Sequence, residues 1–139
     1  MSDAAELNLK GAVRDALDGV VTQFDHGRVR TTPDGQGGAW VEIVDEPLGA
    51  PYIQPETFVI ALLPFNLPNA DVYPLFVRAD LARLDGQGLG PCFQPSSVHI
   101  SGEAAPRPAV MVSRRTRGEF QIQTAAQKIA KVIEWIRSQ

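Results

Sequence analysis

Few side chains here are intrinsically reactive: one cysteine, Cys92, and two histidines, His26 and His99. Cys92 follows a glycine-rich stretch, Gly86-Gln87-Gly88-Leu89-Gly90-Pro91. Such glycines can adopt positive φ and let backbone come close to another group. A thiol presented on such a loop is a candidate nucleophile for acyl transfer. The alternative has equal weight: a free cysteine often behaves as a small apolar packing residue, and no Lys or Arg adjoins Cys92 to favour the thiolate. His99 lies seven positions on, close enough in sequence to serve as the base of a Cys-His pair. Its structural alternative, shared by His26, is a hydrogen-bonded or surface residue. The three residues show no metal-ligand spacing, and catalytic zinc usually takes three protein ligands, so no metal site is expected. The glycine stretch lacks the downstream Lys-Ser/Thr and following helix of a phosphate loop, and no cofactor is expected. The remaining chemistry is basic: Arg107, Arg114, Arg115 and Arg117 cluster after the cysteine. They can contact an acidic partner or merely decorate a solvated turn.

The elements that must position these residues centre on residues 58–92. Residues 58–63 are bulky, apolar and too short for a typical helix, which predicts a buried strand. Pro64, Asn66, Pro68 and Asn69 break the chain. Residues 72–81 predict a second strand, with Pro74 near its start, where a missing N–H is tolerated. A short connection favours antiparallel pairing. Upstream, residues 5–24 predict a helix, with Leu7, Val13, Leu17, Val20, Val21 and Phe24 on one stripe. Asp3 with Glu6 resembles a capping box. Lys10, Arg14, Asp15 and Asp18 fall on the solvated face. Residues 26–32 and 39–44 predict two strands around the turn at Pro33-Asp34-Gly35-Gln36-Gly37-Gly38. Pro47, Gly49, Pro51 and Pro55 make the next connection a loop. The segment 93–108, rich in Pro, Ser, Gly and Ala, predicts a long irregular loop, and such loops are often functional. Its only β-like piece is Val98-His99-Ile100, and a short apolar run follows at residues 109–113. The last element is an amphipathic helix capped by Thr124 and Gln127. Ile129, Val132, Ile133 and Ile136 form its stripe, Trp135 borders it, and Lys128, Lys131, Glu134 and Arg137 lie mostly on the other side.

Size and composition bound the answer. A chain of 139 residues is expected to form one domain spanning 1–139, large enough to fold unaided. A hydrophobic fraction of 44% and a charged fraction of 21% are ordinary for a globular protein. The net charge of −3 argues against a dedicated nucleic-acid binder, whose surface needs excess Lys and Arg. One cysteine forms no internal disulfide. No apolar run approaches the roughly 20 residues that span a bilayer, and no apolar leader is evident, so no membrane role and a cytoplasmic location are expected.

The element order, Tyr73-Pro74 leading into a strand, a lone cysteine in the irregular segment after it, and a terminal amphipathic helix resemble the ubiquitin-conjugating enzyme superfamily. Residues 72–90, with Ser113-Arg114-Arg115 and Thr124-Ala125-Ala126-Gln127-Lys128, are similar to its divergent prokaryotic branch. The resemblance implies an α+β fold, a four-stranded antiparallel meander with an N-terminal helix and a C-terminal helix. It implies that Cys92 accepts a ubiquitin-like protein as a thioester from an adenylating activating enzyme and passes it to an acceptor. Cys92 and His99 become the candidate catalytic residues, and Tyr73, Arg114 and Arg115 the candidate partner-binding residues. The family's His-Pro-Asn motif has no counterpart in residues 84–91, nor its Trp-Ser-Pro after the cysteine. The spacing from Tyr73 to Cys92, 92 − 73 = 19, is shorter than in typical eukaryotic members. No residue therefore takes the oxyanion-stabilising asparagine's role by motif. A catalytically silent binding or scaffold module of the same fold is the alternative.

Overall fold

The computed structural model describes residues 9–118 and 122–139. Helix α1 (Gly11–Phe24) leads through a 3₁₀ turn (His26–Arg28) into strands β1 (Val29–Pro33), β2 (Ala39–Pro47), β3 (Glu56–Leu63) and β4 (Leu75–Arg78). Strands β5 (Phe93–Val98) and β6 (Arg107–Val112) and helix α2 (Ala125–Arg137) complete the order. The chain is α+β as expected, but the sheet is not the expected four-stranded meander; β1–β4 are consecutive neighbours. They are part of a larger sheet: six antiparallel strands in the order β1-β2-β3-β4-β6-β5.

Apolar alternation explains which face the helices cover. Val41 and Ile43 of β2, Val59, Ala61 and Leu63 of β3, Leu75 and Val77 of β4, and Val110 and Val112 of β6 share one core with the buried stripes of α1 and α2. The two-residue period of a strand sets this face. The opposite face holds a smaller cluster of Ile60, Val98, Ile100 and Ala109, bordered by Trp40, Phe58 and Phe76.

The expected long loop at 93–108 is instead a hairpin, with Phe93 opposite Val112 and Val98 opposite Arg107. Strand β5 reads FQPSSV and is buried only at its two ends. It is the sheet edge, where Pro95 and an all-polar centre are tolerated. Because β5 lies outside β6, the connection at residues 79–92 must carry the chain past β6 to the edge. That connection is docked, not free. Ile53 N–H donates to Ala82 O at 2.8 Å, Leu84 N–H to Pro51 O at 2.9 Å, and Ala82 N–H to Gln54 Oε1 at 2.9 Å. Gly90, with φ +102°, makes the final turn, closed by Phe93 N–H on Gly90 O at 3.2 Å. Only glycine takes such φ without strain.

Other boundaries shift for local reasons. Helix α1 starts at Gly11, with Lys10 as N-cap and no side-chain cap bond; Asp3 and Glu6 lie outside the described residues. Strand β4 is shorter than residues 72–81 suggested. In β2 the register slips between Ile43 and Glu46, where Asp45 takes φ +56°. A one-residue bulge flips every later side chain to the other face, which turns Glu46 inward. There it accepts Arg28 Nη2 at 2.7 Å and also meets Arg137 at the end of α2. Arg137 is therefore not on a purely solvated face, and neither is Lys128, whose side chain is only 5% exposed.

Candidate functional site: a cation–aromatic strip beside the cysteine turn

The chain leaves β6 at Val112 and runs as an irregular strip, residues 113–117, beside α2. Its first residue ties it to the cysteine: Ser113 N–H donates to Cys92 O at 2.8 Å. Cys92 is half-buried with a free thiol. Its neighbour Phe93 stacks on Trp135 with ring centroids 5.3 Å apart. The Arg114 guanidinium lies over the same indole at 4.3 Å, and that of Arg115 lies over the Tyr73 ring at 4.0 Å. Such cation–π contacts fix the direction of side chains that otherwise sample many rotamers.

Thr116 anchors the middle of the strip. Its N–H donates to Asp71 Oδ2 at 2.8 Å and its hydroxyl to Asp71 Oδ1 at 2.7 Å. The hydroxyl oxygen accepts Gln123 Nε2 at 2.7 Å and Lys128 Nζ at 2.9 Å. Lys128 also donates to both Asp71 oxygens, at 3.1 and 2.9 Å. Burial pushes the Asp71 carboxyl pKa up, but the Thr116 N–H and hydroxyl and the Lys128 ammonium outweigh it and hold the group below the ordinary carboxylate range. Helix α2 presents its side of the site by spacing alone. Lys128, Lys131, Val132 and Trp135, three or four residues apart, share one face. The expected capping box is present, with Thr124 N–H on Gln127 Oε1 at 2.8 Å and Gln127 N–H on Thr124 Oγ1 at 3.1 Å.

Two cavities flank this network. One, of about 270 Å³, opens between the strip and α2 and includes Arg114, Arg115, Arg117, Lys131 and Trp135 in its lining. The other, of about 300 Å³, lies on the far side of Lys128, between α1 and the segment holding Leu67, Pro68 and Val72.

The structure thus brings together Cys92, Arg114, Arg115 and Tyr73 at one end of β4, β6 and β5. It does not bring His99 to Cys92. The two sit at opposite ends of β5, about 20 Å apart at the rise of an extended strand. His99 Nε2 instead lies 2.8 Å from Glu103 O. His26 precedes β1, at the other edge of the sheet. Arg107 also leaves the cluster: it crosses to the outer sheet face, bonding Glu42 at 2.9 Å and Glu103 at 2.7 Å. Sequence reasoning missed Trp135, Lys128, Asp71 and Thr116 as parts of the site. The helical spacing of Lys128 and Trp135 was a usable signal; the reach of Asp71, 57 residues from Lys128, left none.

No family model, curated protein or solved structure matches the chain. Among the described residues no cluster of three or more His, Cys, Asp and Glu side chains is arranged to hold a metal, and no helix is long and apolar enough to cross a membrane.

Proposed function

We propose that this chain is a ubiquitin-conjugating-like carrier, which takes a ubiquitin-like protein as a thioester on Cys92 while the strip holds an acidic surface of that partner. The observation that supports it best is the bond from Ser113 to the Cys92 carbonyl, because it fixes the thiol-bearing turn beside Arg114 and Arg115. In the reaction, the Cys92 thiolate attacks the thioester carbonyl of the charged activating enzyme. The tetrahedral intermediate expels that enzyme's cysteine thiolate, leaving the acyl group on Cys92. An acceptor amine later attacks the same carbon and Cys92 leaves as thiolate. The first exchange needs a thiolate and a held partner more than a general base, so distance from His99 does not bar it.

The test mixes the chain with an adenylating enzyme, ATP and a ubiquitin-like protein. The expected product is an adduct that dithiothreitol removes, absent in Cys92→Ala and converted to a thiol-resistant oxyester in Cys92→Ser. An adduct that persists in Cys92→Ala would sink the carrier reading. A silent binding module is the second reading, favoured by the placement of His99 at the far end of β5 and by the missing asparagine motif. It predicts no adduct at all, with binding of the ubiquitin-like protein unchanged in Cys92→Ala.

A further inference from the structure

The cavity between the strip and α2 has a charge pattern that partner docking does not account for. Five cations line it, Arg114, Arg115, Arg117, Lys128 and Lys131, in a chain whose net charge is −3. Among the described residues four of the five, all but Lys128, have no carboxylate paired with them. Asp71, beside the cavity, is already matched by Lys128. Repulsion among like charges normally spreads them apart. Here Trp135 and Tyr73 hold two guanidinium groups in place, and the Asp71–Thr116 bonds fix the backbone between Arg115 and Arg117.

From this we infer that the cavity is a binding site for a compact polyanion of pyrophosphoryl type. Guanidinium forks match the oxygens of phosphoryl groups bidentately, and lysine adds a point charge. Four cations without a carboxylate partner around about 270 Å³ exceed what a single carboxylate can engage, and suit two linked phosphoryl groups. Trp135 and Tyr73 are already engaged by Phe93, Arg114 and Arg115, so recognition is by charge and not by stacking of a nucleobase. The site is concave, between the walls of strip and helix. It does not depend on Cys92 or on the carrier reading.

Titration calorimetry with pyrophosphate, against orthophosphate and sulfate at matched ionic strength, tests the site. Pyrophosphate should bind tightest. Arg117→Gln and Lys131→Gln should each weaken it about tenfold, as expected for loss of one charge-assisted contact. Both side chains are exposed, and unchanged thermal midpoints check that the variants fold. Arg14→Gln, on the exposed side of α1, and Cys92→Ala should bind like wild type. Pyrophosphate binding no tighter than sulfate, equal affinity in Arg117→Gln/Lys131→Gln, or an equal loss in Arg14→Gln would overturn the assignment. Failure of the thioester assay alone would leave it standing.

Discussion

Replacing Asp71 by alanine is the sharpest test of how the site is built. The carboxylate accepts four hydrogen bonds, two from Thr116 and two from Lys128. Its side chain is 13% exposed and that of Lys128 is 5% exposed. The variant strands a buried ammonium, and breaking a buried pair by removing one partner costs about 3–5 kcal/mol. The low end applies, because Thr116 Oγ1 still accepts Lys128 Nζ at 2.9 Å. A loss of about 3 kcal/mol should lower the thermal midpoint by roughly 10 °C in a chain of this size. In urea the midpoint should fall with an unchanged slope.

The companion variant is Lys128→Met in the Asp71→Ala background. An apolar replacement of a whole buried pair is often neutral, so most of the lost stability should return. The pH dependence carries an independent check. A carboxyl depressed in the folded state adds stability that is present above its unfolded pKa and lost as pH falls through the folded value. Wild-type stability should therefore drop on acidification below about pH 4, the unfolded value of an aspartate, and Asp71→Ala should drop less steeply. A loss under about 1 kcal/mol in Asp71→Ala, or a double variant no better than the single, would refute the claim that this pair is what organises the strip.

Two further outcomes follow from the same geometry. Tyr52→Phe removes the buried hydroxyl that donates to Ile136 O at 2.7 Å; it should cost about 1–2 kcal/mol and speed hydrogen exchange in the last turn of α2, whereas protection equal to wild type would contradict a role for that bond. His99→Ala should leave the pH profile of iodoacetamide alkylation at Cys92 unchanged, since β5 separates them by about 20 Å; a shifted profile would show that the histidine reaches the thiol.

Much of this was legible in the chain itself, and the misses have specific causes. The apolar runs of β2 and β3 and the Thr124–Gln127 box announced themselves because their signals are local. Strand β5 did not. With Pro95, Ser96 and Ser97 in its centre it has no apolar alternation, and it is a strand only because β6 offers a ladder to its edge. The pairing of Cys92 with His99 looked plausible at seven residues' separation because a loop was expected there; an extended strand turns a short separation in sequence into a long one in space. Lys128 read as a solvated helix residue because helical spacing does not reveal a carboxylate arriving from a distant segment. The arginines were visible, but Trp135 and Tyr73 as their supports were not, since stacking partners from a helix and a loop leave no spacing pattern.

That distribution of signals bears on how the site should be dissected. Thr116 sits in the segment that carries all three arginines, yet its bonds run to Asp71, Lys128 and Gln123, so the strip takes its position from the same pair that stabilises α2. Any variant at Asp71 or Lys128 will change stability and ligand affinity together, and a correlation between the two would then say nothing about which cation binds what. Arg117 lies outside the buried network and Lys131 meets it only at its exposed margin, through Gln123 Oε1 at 3.2 Å, so their substitution moves charge without removing the Asp71 anchor. Affinity lost there at constant stability is attributable to the ligand, whereas affinity lost at Asp71 is attributable to the scaffold. The difference between those two classes of variant separates a pre-organised anion site from a basic turn that happens to lie beside a cysteine.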